Sequence, residues 1–172
     1  TSRLTRKITY FVAMIRKITG QDFDFIYELY MHPQVNPYLL YDPMTVHEFK
    51  DIFADLLDKN IIYIFENDGI ASGMFKLIPL SYRTSHIAYL GGVAIHPSFG
   101  GKGLGFMMLQ EILSHAKELG FLRVELSVTI TNEKAIRLYE KAGFEKEGIL
   151  RKYSRLKEEN TFLDEVIMSW LA

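Results

Sequence analysis

The chain predicts a mixed α/β layer fold in one domain, residues 1–172. Three observations point there. Four segments carry apolar residues at helical spacing and seven read as strands. Strands and helices alternate through the second half, a pattern that favours helices packed in layers on a sheet. No repeat, low-complexity run or linker rich in Gly, Ser or Pro divides the 172 residues, a length that suits a single core.

Residues 8–18 open the chain as a strand. Basic "TSRLTRK" followed by apolar "ITYFVAMI" imitates a signal peptide, but the run stops at Arg16-Lys17 with no small-x-small cleavage site. No run reaches the ~20 apolar residues of a membrane span. "TGQDFDFIYELYMHP" sets Phe23, Ile26, Tyr27 and Tyr30 at helical spacing and stops at Pro33. "TVHEFKDIFADLLDKN" is a helix opened by a Thr45/Glu48 capping box, with Val46, Phe49, Ile52, Phe53 and Leu56 on one face. "IIYIFE" and "IASGMFKLI" are strands joined at Asn67-Asp68-Gly69, a hairpin turn. "TSHIAYLGGVAIHP" is a longer strand whose Gly91-Gly92 pair marks a bulge or a close backbone approach. From Leu104 to Leu119 the period is helical, with Gly120 at the stop. "FLRVELSV" is a strand, and "NEKAIRLYEKAGF" is a helix with a Glu133–Arg137 ion-pair spacing, ended by Gly143. "FEKEGILRKYSR" and "TFLDEVIMSWL" close the chain as an antiparallel pair around Lys157–Asn160. The order is β-α-α-β-β-β-α-β-α-β-β.

Composition removes several functions. With 20 basic and 21 acidic residues the net charge is −1, which gives no general affinity for nucleic acid or an anionic membrane surface. There are no cysteines, so disulfides, thiolate metal sites and a cysteine nucleophile are excluded, and a cytoplasmic location fits. His32, His47, His96 and His115 show no metal spacing, and "HEFKD" lacks the second histidine of H-E-x-x-H, so no metal is expected. Ser98 lacks the leading glycine of a nucleophile elbow. For oligomeric state the only expectation is the general prevalence of homodimers.

The densest signal is "HPSFGGKGLGFMML", His96–Leu109. It holds Gly100, Gly101, Gly103 and Gly105 at a strand-to-helix junction. A helix N-terminus presents free N–H groups to an anion, and glycines let a phosphate approach the backbone. Lys102 adds positive charge. The stretch reads as a diphosphate cradle, with a ligand-free glycine turn as the alternative. It matches neither the triphosphate loop nor the dinucleotide fingerprint, because Gly103 follows Lys102 and because Phe106 and Met108 occupy the final glycine positions.

Gly101-x-Gly103-x-Gly105 after "VAIHP" resembles the acyl-coenzyme-A loop of the GNAT superfamily of N-acetyltransferases. "TNEKAIRLYEKAGFEKEG" is similar to that family's second cofactor motif, with Asn132, Ala135, Leu138, Tyr139, Gly143 and Phe144 in place. The resemblance covers residues 60–171 well. It implies a central, mostly antiparallel twisted sheet splayed at the cofactor site, flanked by helices. It also implies acetyl-CoA as cosubstrate, bound by Val93, Ala94, Ile95, Gly100, Gly101, Lys102, Gly103, Leu104, Gly105 and Asn132, with Tyr139 donating a proton to the departing thiolate. Gly100 stands where the family carries arginine or glutamine, and weaker cofactor binding is the expected consequence.

The proton acceptor is less defined. "IAYLGGVAI" contains no acid, and the position of a glutamate in some relatives falls on Tyr89, which could order a water. His86 could act through water, and bulk water could take the proton from a bound amine. The tail resembles a branch that includes bacterial amino-acid, ribosomal-protein and polyamine acetyltransferases, with Glu147, Tyr153 and Asp164 at matching positions; a fold-stabilising role for them is the alternative. The acceptor wall, Phe23–Tyr30 and Asn36–Pro43, is aromatic with few acids, whereas a polyamine needs clustered acids. A small amine such as an amino acid is therefore the expected acceptor, by direct transfer in a ternary complex. A protein N-terminal acetyltransferase and a non-catalytic acyl-coenzyme-A sensor are the alternatives.

Overall fold

Local signals set most element boundaries. The computed structural model describes residues 12–172. Its elements are β1 (Ala13–Lys17), α1 (Phe23–Met31), α2 (Val46–Lys59), β2 (Ile62–Asn67), β3 (Ile70–Pro79), β4 (Ile87–Ile95), α3 (Leu104–Glu118), β5 (Arg123–Thr129), α4 (Glu133–Lys141), β6 (Glu145–Leu156) and β7 (Thr161–Leu171). Their order is the expected one. The first strand spans less than residues 8–18, and the part of that expectation before residue 12 lies outside the described residues.

Thr45 and Glu48 form the expected reciprocal cap, Glu48 N–H donating to Thr45 Oγ1 and Thr45 N–H donating to Glu48 Oε2. Patterning missed a second box, Thr19 with Asp22, which seeds a 3-10 turn ahead of α1. Asp22 also accepts two 2.9 Å hydrogen bonds from the Arg16 guanidinium, tying β1 to α1. Asp68 and Gly69 turn the β2–β3 hairpin with φ of +51° and +76°, as a type I′ turn requires.

The strands form one seven-stranded sheet in the order β1-β2-β3-β4-β5-β7-β6. Every pairing is antiparallel except β4 with β5. The sheet's middle is covered on both faces, which explains why β2 reads as a continuous apolar run. Its Tyr63 and Phe65 pack toward α3 and α4, while Ile62 and Ile64 pack toward α1 and α2. Fully buried aromatics such as Phe49, Phe65 and Phe75 each contribute about 1.5–3 kcal/mol by leaving water.

One departure from regularity positions the site. β4 and β5 pair only from Ile87↔Arg123 to Tyr89↔Glu125, although β4 continues to Ile95 and β5 to Thr129. Each strand follows its other neighbour. β5 stays in register with β7 from Arg123↔Leu171 to Thr129↔Glu165, while β4 stays with β3. The β3–β4 register slips between Met74↔Ala94 and Lys76↔Gly91, and the added residue is accommodated where Gly92 has φ +57°. A side chain at that φ is strained, so a glycine is what lets β4 bulge and turn away. The paired glycines thus do what the sequence suggested.

Candidate active site

Between the diverging strands lies a cavity of about 100 Å³. Leu90, Gly91, Gly92 and Val93 of β4 form one wall and Ser127, Val128 and Thr129 of β5 the other. Asn132, Ala135 and Tyr139 of α4 close a third side, Glu165 of β7 enters beyond β5, and Tyr38 and Leu39 of the α1–α2 connection form the roof. From Leu90 to Ile95 the β4 edge facing β5 has no strand partner among the described residues. An extended ligand with amide groups can pair there as an added strand.

Tyr139 is 8% exposed, and its ring meets Phe144 edge-on at 5.7 Å. Burial, with a smaller contribution from the Tyr89 phenol, raises its pKa above the ordinary tyrosine value. The phenol therefore stays protonated through neutral pH and can donate. Tyr89 marks the cleft floor, its hydroxyl 3.1 Å from Ser127 Oγ across the point where pairing ends. Burial raises its pKa too, which keeps the phenol protonated at neutral pH. Asn132 lines the cavity while its Oδ1 accepts from Ala135 N–H, capping α4.

The glycine loop continues from the end of β4. Gly101 and Gly103 both have φ +74°, and a Cβ at either would meet nothing within 4 Å. Gly103 is the N-cap of α3 and makes no side-chain cap bond, so first-turn N–H groups are left for a ligand. These features fit the phosphate-bearing cofactor that the resemblance implies. Gly105 has a further reason to be small, since a Cβ there would stand 3.0 Å from Leu138 Cδ2 where α3 crosses α4. Leu104 is buried, so only its backbone can serve a ligand. Lys102 is exposed, with Nζ 5.8 Å from the Phe99 ring centroid.

The fold thus brings Tyr139, Val93 and Asn132 around one cavity, with Tyr89 touching it only through Ser127, and continues through Ala94 and Ile95 to the loop of Gly100, Gly101, Lys102, Gly103, Leu104 and Gly105. It does not bring His86. That residue is exposed just before β4, at the paired end of the strand, and is not among those lining the cavity. Sequence reasoning missed Glu165, the acid that does reach the cavity. Strand alternation sets it in phase with Ile167 and Ser169, opposite buried Val166 and Met168. Nothing in the local sequence tells which strand lies alongside it. Of the tail positions, Glu147 accepts from both terminal nitrogens of Arg123 and from Ser169, Asp164 accepts from Lys152 N–H, and Tyr153 is exposed. Arg123, and secondarily Ser169, hold the Glu147 carboxyl down at about 2.

A cleft opened between two strands, with the Tyr139 phenol and the Glu165 side chain in its lining, suits moving a group between two molecules. Comparison with known proteins agrees. Residues 23–144 match the model of the acetyltransferase (GNAT) family, and the chain belongs to that family. It is 27% identical over 143 residues to the spermidine N(1)-acetyltransferase of Escherichia coli, covering 79% of this chain and 74% of that one. Over 66 residues it is 36% identical to the ribosomal protein bS18-alanine N-acetyltransferase of Salmonella typhimurium, 38% of this chain and 45% of that one. The crystal structure of spermidine N-acetyltransferase from Vibrio cholerae, in complex with CoA and spermine, superposes with a TM-score of 0.81 at 23% identity, over 92% of this chain and 95% of that one. The fold is that of the family.

Proposed function

We propose that the protein transfers an acetyl group from acetyl-CoA to the primary amine of a small molecule, an amino acid in preference to a polyamine, within a ternary complex. The observation that carries this reading is the convergence of Tyr139 and Glu165 on one small cavity beside an unpaired strand edge. Acetyl-CoA would supply an activated acyl thioester. The β4 edge from Leu90 to Ile95 would hold its amide-bearing arm, and the N–H groups from Gly101 to Gly105 its phosphates. Glu165, directly or through a water, accepts the proton that the acceptor ammonium must lose before its nitrogen forms the new bond to the acetyl carbon. Tyr139 gives its proton to the sulfur as the carbon–sulfur bond breaks. Holding both molecules in line supplies much of the remaining rate gain.

The site's size and charge support a small acceptor. Tyr38 and Leu39 roof the cavity, and among the described residues Glu165 is the one acid lining it, too few for two or more ammonium groups. The test is thiol release from acetyl-CoA with free amino acids, diamines and short peptides as acceptors. Amine-dependent release, strongest with an amino acid, is expected. Release that no amine stimulates would refute the reading, and diamines as best acceptors would overturn its choice of substrate.

A further inference from the structure

Behind the β4 bulge stands a polar pair that the transfer chemistry leaves unused. Lys76 of β3 is only 7% exposed. It lies opposite Gly91 and in phase with Met74, on the face covered by α1 and α2. Among the described residues it makes no ion pair and no side-chain hydrogen bond. Asp55 feels its charge at longer range but is already paired to Lys59 at 2.7 Å. The rings of Tyr41 and Tyr30, with centroids 5.1 and 5.7 Å from Nζ, offer partial compensation. Burial lowers the Lys76 pKa to about 8, so the ammonium remains the main form at neutral pH. A buried ammonium without a counter-ion is unfavourable.

Tyr30 adds a second unmet need. It is 1% exposed, and its hydroxyl is buried without a hydrogen-bond partner among the described residues. Both groups adjoin the cavity through one residue. A Cβ at Gly92 would stand 3.2 Å from the Tyr30 hydroxyl and 3.5 and 3.6 Å from Cγ and Cε of Lys76, and Gly92 itself lines the cavity. Tyr38 and Leu39 of the roof belong to the same α1–α2 connection as Tyr41 beside Lys76.

We propose that Lys76 and Tyr30 form an anion-recognition subsite of the acceptor pocket, which makes the acceptor a small amine carrying a carboxylate, such as an α-amino acid. The ammonium supplies the counter-charge and the phenol donates a hydrogen bond. The same ammonium repels a polyamine. This inference rests on the acetyl-transfer reading and narrows its acceptor.

The experiment compares L-methionine and L-phenylalanine with their carboxamides at saturating acetyl-CoA, for wild type, Lys76→Met, Lys76→Arg and Tyr30→Phe, with melting temperatures alongside. Wild type is expected to favour the acids by about tenfold or more in kcat/KM, the scale of a charge-assisted hydrogen bond. Lys76→Met should collapse that ratio toward one, mainly through KM for the acid, with an unchanged or raised melting temperature because an unpaired buried charge has gone. Lys76→Arg should retain part of the preference, and Tyr30→Phe should lower it several-fold. Equal use of acids and amides by wild type would overturn the subsite and leave acetyl transfer standing. So would a Lys76→Met variant that slows both alike. Failure of wild type to acetylate any amine would overturn the transfer reading itself.

Discussion

Replacing Tyr139 with phenylalanine isolates one oxygen atom. The ring's edge-on contact with Phe144 at 5.7 Å survives, and the hydroxyl makes no hydrogen bond to another described residue. Stability should therefore change by no more than about 0.5 kcal/mol. The rate should change far more. A positioned general acid contributes about 10²–10⁴-fold, which at 1.36 kcal/mol per tenfold is roughly 2.7–5.4 kcal/mol of barrier. The residue is 8% exposed, so bulk water substitutes poorly and the upper part of that range applies. The fall should appear in kcat, with KM for acetyl-CoA near that of wild type. The pH profile adds an independent check. Donation requires the protonated phenol and is lost as pH rises through its pKa, which burial places above the ordinary value of about 10. Tyr139 should then impose no falling alkaline limb below pH 10. Steady-state thiol release from pH 6 to 10, with melting curves, decides the matter. A Tyr139→Phe variant retaining more than about a third of wild-type kcat, or a Tyr139-dependent falling limb near pH 8, would refute the proton-donor role.

Three further outcomes follow from the same geometry. Glu165→Gln should lower kcat/KM about 100-fold near neutral pH and recover part of that loss with acceptors of low amine pKa, as steady-state rates across an amine series would reveal. Gly100→Arg should tighten acetyl-CoA binding by about three- to tenfold in calorimetry. Gly100 has an ordinary φ of −63°, and a Cβ there approaches only Pro97 O at 3.2 Å, so the family's missing side chain can be restored with a small adjustment. Gly73→Ala should cost about 1–3 kcal/mol, seen as a melting temperature lower by roughly 2–12 °C, since its Cβ would meet Ala94 O at 2.7 Å and Ile95 Cδ1 at 2.8 Å.

By itself the sequence determined the element order, because local chemistry controls it. Capping at Thr45, the Asp68-Gly69 turn and the stops at Gly120 and Gly143 need only neighbours a few residues away. It also marked Tyr139, Asn132 and the glycine loop, where consecutive residues carry the signal. Only the tertiary structure decided which acid lines the cavity and which buried charge lies behind its wall. Glu165 arrives because β7 runs beside β5, and Lys76 stands near Gly92 because a one-residue slip sets β3 against the β4 bulge. Local patterning gives each strand its faces, but strand neighbours and register depend on how residues far apart in the chain share a core.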